Sequence, residues 1–151
     1  MKVLLGRREV NPDKEDLSRN TPLSFAAENG HVRVVEILLG RNEVNPDKPD
    51  NNGQTPLLYA ASGGHEEVVK ILLKEDVSAD KPDKDGQTLL MCAASSGHGG
   101  VVEMLLGREE VNPNKPDNNG QTPLMLATGL GFQEVITLLQ SYEDEGSVEY
   151  D

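Results

Sequence analysis

The chain has 151 residues, 36% apolar and 26% charged. It contains no apolar run near the roughly 18 residues that a membrane-spanning helix requires, so no membrane partner is expected. Its net charge is −12, and beyond Lys115 there is no Lys or Arg to offset Asp117, Glu134, Glu143, Asp144, Glu145, Glu149 and Asp151. A surface of that sign repels phosphate backbones and anionic headgroups, which excludes nucleic acid as an expected partner. The apolar part of MKVLLG ends at Arg7 and Arg8, short of the roughly 7 to 15 apolar residues of a secretory signal. The single cysteine, Cys92, cannot form an internal disulfide. A cytoplasmic location is therefore expected.

The ten letters KPDNNGQTPL occur at residues 48–57 and again at 115–124, with altered copies DKEDLSRNTPL at 13–23 and DKPDKDGQTLL at 80–90. Thr21, Thr55, Thr88 and Thr122 fall at steps of 34, 33 and 34, and Leu-Leu pairs at 4/5, 38/39, 72/73, 105/106 and 138/139 step by 34, 34, 33 and 33. A period of this size marks a solenoid, whose units bury their apolar faces only against one another. The chain divides into a partial repeat at 1–10, repeats at 11–44, 45–77, 78–111 and 112–140, and an acidic tail at 141–151.

In chain order, residues 1–5 fall where only the latter part of a unit's second helix belongs, as in an interior cut through an array. Val3, Leu4 and Leu5 lack a preceding repeat, so the chain is expected to be a monomer or to self-associate weakly through that truncated helix. The second unit shows the common plan. Asp50-Asn51-Asn52-Gly53 is turn chemistry, Thr55 is a helix N-cap and Pro56 suits the first helical position. A short helix is predicted over residues 57–62, a stop at Gly63-Gly64, and a second helix over 66–73. Val68, Val69, Ile71, Leu72 and Leu73 make too wide a stripe for one contact face, so that helix should be wedged between neighbours. In the third unit Leu89 stands where proline is found elsewhere, and Gly99-Gly100 opens the second helix at about 1 kcal/mol per interior glycine. That unit is expected to be the least stable. In the last, Leu138 and Leu139 would face outward unless the tail covers them.

TPLSFAAENGH and TPLLYAASGGH, each followed by VVxxLL, resemble the ankyrin repeat, whose core reads T-P-L-x-x-A-A-x-x-G-H. The Asn-Pro-Asp-Lys-Pro-Asp spelling is similar to that of long ankyrin arrays in filamentous fungi. The resemblance implies an all-α solenoid of helix-turn-helix units with projecting loops or short hairpins, acting as a non-catalytic scaffold that binds another protein through a concave face. Carried over by position, partner contacts are expected from Leu17, Ser18, Asn20, Glu28 and Asn29; from Asn51, Asn52, Gln54, Ser62 and Gly63; from Lys84, Asp85, Gln87, Ser95 and Ser96; and from Asn118, Asn119, Gln121, Gly129 and Leu130. Leu17, Ser18 and Arg19 replace Asn-Asn-Gly, which makes the first unit the most distinctive place for a specific contact.

His31, His65 and His98 each follow a glycine one repeat apart. Packed helices stand about 8 to 10 Å apart, so these rings are expected to be structural rather than ligands of one ion about 2 Å away. Cys92 takes the place of Phe25, Tyr59 and Leu126, an expected apolar core position, and Met91, Met104 and Met125 are expected packing residues. No Ser-His-Asp grouping and no GxxxxGK[ST] loop can be assigned, so no enzyme and no cofactor are expected. The alternative is calcium: Asp47, Asp50 and Asn52, then Asp80, Asp83 and Asp85, then Asn114, Asp117 and Asn119 gather hard oxygen donors in loops that stack, though without EF-hand spacing.

Overall fold

The computed structural model describes residues 10–148, with side chains described through residue 144. The expected N-terminal half-repeat and its Val3, Leu4 and Leu5 lie outside the described residues, apart from Val10. Among the described residues eight helices follow in pairs: α1 (Pro22–Glu28) and α2 (Val32–Leu39), α3 (Pro56–Gly63) and α4 (Glu66–Leu73), α5 (Leu89–Ser95) and α6 (Gly99–Leu106), α7 (Pro123–Leu130) and α8 (Gln133–Val148). No strand occurs among the described residues, so the projecting loops are turns rather than hairpins.

Each first helix begins at the expected threonine. The Oγ1 atoms of Thr21, Thr55, Thr88 and Thr122 accept the amide N–H three residues on, at 3.2, 3.3, 3.3 and 3.3 Å. This satisfies one of the four orphan donors at a helix start. Thr88 caps without a following proline: its φ and ψ, −88° and 167°, match the −95° and 165° of Thr55. Leu89 is buried in the proline's place.

Small residues set the spacing of the stack. Ala26, Ala27, Ala60, Ala61, Ala93 and Ala94 are buried, and successive first helices meet over more of their length than successive second helices do. The first-helix side is therefore the inner side of the curve. Behind it Val35 and Leu38, Val68, Val69 and Leu72, and Val101, Val102 and Leu105 are fully buried, with Ile71 and Leu73 partly so. The wedged second helix predicted from the width of its stripe is what forms.

Three local expectations change. Gly99 and Gly100 are the first two residues of α6, where helix propensity counts for less than in the interior. A Cβ at Gly99 would lie 2.6 Å from the Glu134 carboxyl carbon, and one at Gly100 would meet the Glu66 carboxylate, so these glycines make room for glutamates of both neighbouring repeats. The Leu138-Leu139 pair is out of step with the others. Phe132 takes the place of His98, which puts Leu139 in the buried position of Leu105 and Leu138 in the half-buried position of Met104, so the pair does not depend on the register expected for it. Finally, α8 continues through residues 141–148 without a break at the start of the acidic tail.

Candidate functional site

The turns are built around one aspartate each. Asp50 Oδ1 accepts the N–H groups of Asn52 and Gln54 at 2.8 and 3.0 Å. Asp83 Oδ1 accepts those of Asp85 and Gln87 at 2.9 and 2.9 Å, and Asp117 Oδ1 those of Asn119 and Gln121 at 2.8 and 2.9 Å. A carboxylate that receives two amides folds the turn without a strand partner. Gly53 takes φ 77° within its turn, and the equivalent Arg19 takes φ 67°. A side chain rarely adopts that conformation; Arg19 Nε donates to Glu15 Oε2 at 3.0 Å.

Neighbouring turns are tied to each other. Asn51 N–H donates to Ser18 O, Lys84 N–H to Asn52 O and Asn118 N–H to Asp85 O, each at 3.0 Å. Side chains add Asn51 Nδ2 to Leu17 O at 3.3 Å, Asn118 Nδ2 to Lys84 O at 2.8 Å, Gln54 Nε2 to Asp83 Oδ2 at 3.5 Å and Gln87 Nε2 to Asp117 Oδ2 at 2.8 Å. Asn51, Asn118, Gln54 and Gln87, expected as partner contacts, therefore hold the array together. Asn20 is bonded through its N–H to Asp16 at 2.8 Å. Leu17, Ser18, Asn52, Lys84, Asp85, Asn119 and Gln121 are exposed at the turn tips. Glu28, Asn29, Ser62, Gly63, Gly129 and Leu130 are exposed at the ends of the first helices, while Ser95 and Ser96 are half-buried.

The carboxylates grouped above as candidate calcium ligands are not brought together. Asp50, Asp83 and Asp117 are buried within their own turns. Asp80 faces Lys115 Nζ at 3.7 Å, and Asp47 Oδ2 accepts Ser78 N–H at 3.4 Å. Asp85 is exposed and its backbone is engaged on both sides. Among the described residues no group of three or more His, Cys, Asp or Glu could hold a metal ion. Two carboxylate oxygens, Asp13 Oδ1 and Asp47 Oδ1, are buried without a donor. Asp13, however, faces Lys48, whose Nζ lies 3.3 Å from Asp13 Oδ2 and 2.9 Å from Glu15 Oε1. Hydrogen bonds from Lys48, then Arg19, hold the Glu15 carboxyl below its ordinary value, and the bond to Glu15 raises Lys48.

In the row Phe25, Tyr59, Cys92 and Leu126, expected as core, Cys92 is part of the core, while the other three are more open. Phe25 is 47% exposed, Tyr59 and Leu126 are half-buried, and Cys92 is buried. Tyr59 Oη donates to Asp50 Oδ2 at 2.5 Å. Burial first, then that bond to a carboxylate, raises its phenol well above the ordinary value. The pairing was legible in outline, because a tyrosine placed among apolar residues needs a partner for its hydroxyl. The openness of Phe25 was not legible.

Burial pushes the Cys92 thiol up to about 11, a poor state for a nucleophile. Two of the histidines have structural work: Nε2 of His65 bonds Glu28 O at 2.9 Å and Nε2 of His98 bonds Ser62 O at 3.0 Å, each across a repeat junction. On the outer side a groove of about 260 Å³ between α4 and α6 is lined by Glu67, Lys70, Leu73, Lys74, Met104 and Arg108, with no histidine, cysteine or serine among them.

Among the described residues no helix is long and apolar enough to cross a membrane. No curated protein matches the chain. A family model described as ankyrin repeats (3 copies) matches residues 1–85 and again residues 74–149. With the capped helix pairs, the turn-to-turn ladder and the histidines across two of the junctions, that match shows that the chain belongs to the ankyrin repeat family.

Proposed function

We propose that this chain is a non-catalytic scaffold that holds another protein along the turn tips and the inner face, with repeat 1 as the principal anchor. Members of the family generally mediate protein–protein interaction. The observation that carries the reading here is the pair of exposed apolar side chains in repeat 1: Leu17 is 102% exposed at the turn tip and Phe25 is 47% exposed on α1. Their counterparts Asn51 and Tyr59 are polar or tied to Asp50. Exposed apolar residues rimmed by polar ones mark interaction surfaces, and a few such anchors carry most of the affinity. The buried thiol of Cys92 suits a reducing compartment, in keeping with a cytoplasmic scaffold.

The test is a binder selected against the full chain from a peptide or protein library, with affinity measured for Leu17→Ser, Phe25→Ser and the pair. Loss of about tenfold or more in the double variant, at an unchanged unfolding midpoint, supports the reading. An affinity indifferent to both changes sinks it.

A further inference from the structure

Second helices of successive repeats meet over little of their length, whereas first helices pack along theirs. The outer side of the stack therefore opens between α4 and α6 into the groove of about 260 Å³. Its floor is apolar, with Leu73 and Met104 half-buried. Its rim is cationic. Lys70 and Lys74 are exposed, Arg108 is half-buried, and Glu67 is the one acid among the lining residues. Arg108 already has a carboxylate, since its Nε donates to Glu110 Oε1 at 2.7 Å. Among the described residues neither Lys70 nor Lys74 forms an ion pair.

The neighbouring junctions have the same floor and a different rim. Leu39 and Ile71 take the places of Leu73 and Met104 between α2 and α4, and Leu106 and Leu138 take them between α6 and α8. Between α2 and α4, however, Glu36 stands for Lys70, Gly40 for Lys74 and Glu75 for Arg108. Arg33 holds Glu36 there at 3.8 Å. Between α6 and α8, Glu103 and Gly107 stand for the two lysines. Packing of one repeat on the next accounts for the floor. It does not account for three cations at one junction of a chain whose net charge is −12. A cation at a helix C-terminus gains from the dipole, yet α2 and α6 close on Gly40 and Gly107 at the place of Lys74 and form all the same.

We propose that this groove is a second binding site, separate from the inner face and the turn tips, for a short acidic segment of a partner protein that carries one aliphatic side chain. A volume of about 260 Å³ lies below the roughly 300 to 1,000 Å³ of small-molecule sites, so the groove suits a single side chain rather than a cofactor. Leu73 and Met104 receive that side chain, the flexible thioether adapting to its shape. Lys70 and Lys74 stand one turn apart on α4, about 5 to 6 Å, within the span of carboxylates one or two residues apart in an extended segment. The acidity of the rest of the chain selects for a short anion. At physiological salt a charge is felt over about 8 Å, so a segment of a few residues meets the groove alone. A nucleic acid or an anionic bilayer would also meet the acidic surface around it.

Amide chemical shifts of the full chain, titrated to millimolar concentration with the end-blocked peptide Asp-Glu-Leu-Glu-Asp, test this. Saturable shifts are expected at residues 67–74 and 104–108, and they should be lost when the leucine of the peptide is replaced by serine or its acids by lysine. Lys70→Gln and Lys74→Gln change exposed side chains, so the unfolding midpoint should hold while affinity weakens about threefold for each and about tenfold for the pair. Lys70→Arg with Lys74→Arg should retain it. Arg33→Gln removes a cation outside the groove and must leave the affinity unchanged, as must Leu17→Ser with Phe25→Ser. No shift at these residues overturns the proposal. Equal shifts from citrate or from the serine peptide overturn it in favour of a plain anion site, and an effect of Arg33→Gln equal to that of Lys70→Gln in favour of net charge alone. Shifts at residues 67–74 that grow with protein concentration in the absence of peptide assign the groove to a second copy of this chain and overturn it as well.

Discussion

Residues 48–57 and 115–124 have the same ten letters, one copy covered by a following repeat and the other not. Their local geometry is the same. Gly53 and Gly120 have φ of 77° and 78°, and Thr55 and Thr122 cap their helices at −95°, 165° and −95°, 164°. Their surroundings differ. Thr55 is buried and Thr122 half-buried, and the forward-facing residue just beyond each phrase goes from 2% exposed at Leu58 to 58% at Met125. Turn and cap geometry is thus a property of the phrase, whereas burial, which carries most of the stabilisation, belongs to the neighbour.

The largest test of that division compares Leu58→Ala with Met125→Ala. The first should cost about 3 kcal/mol, since it removes buried methyl groups and leaves a cavity, and the second less than about 0.5 kcal/mol, both measured by denaturant unfolding. Similar costs at the two sites would show that the end of the array is covered in solution. Asp50→Ala and Asp117→Ala should instead behave alike, at about 2 kcal/mol each, because each leaves two turn amides without their charged acceptor. A clear excess at Asp50 would be the share of its Tyr59 bond.

An alkaline titration sharpens the same contrast, because Cys92 and Tyr59 sit in covered repeats. The Cys92 thiol is raised from an ordinary 9.0 to about 11 by burial, so the folded chain keeps a proton that the unfolded chain releases. Its contribution is complete below pH 9 and falls as pH rises toward 11, by about 3 kcal/mol at most. Cys92→Ala should flatten that fall in unfolding midpoint, leaving the part due to Tyr59. Loss of a cap is smaller. Thr55→Ala and Thr122→Ala should each cost about 1 kcal/mol, with the larger value at the buried Thr55. The smallest effect is expected from calcium: midpoints by circular dichroism in chelator, Mg²⁺ and Ca²⁺ at matched ionic strength should coincide. A calcium-specific rise would mean that Asp47 or Asp13, with their unpaired buried oxygens, bind an ion after all.

Much of this was visible in the letters. The threonine period located every first helix, the width of the Val68 to Leu73 stripe foretold a helix packed on two sides, and the spacing of the histidines argued against a shared metal. The features that the letters left open share a cause. Asp50, Asp83 and Asp117 could be read as turn residues or as oxygen donors for an ion, and nothing in their type says that two amides of the same turn will claim them. Phe25 looked like core because its register matches that of Tyr59 and Cys92, and nothing in the letters says that it is 47% exposed. The Leu138-Leu139 pair kept the Leu-Leu spelling while slipping one place, a shift that shows only once Phe132 is seen to stand where the other units have histidine.

Local chemistry alone determined the turns, the caps and the helix boundaries, because an aspartate, a glycine and a threonine at fixed offsets satisfy backbone donors within a few residues of themselves. The tertiary structure decided which of those residues are exposed and which amides and carboxylates tie one repeat to the next. Those outcomes depend on a partner 29 to 37 residues away along the chain, and identical letters acquire different surroundings when that partner is present or absent.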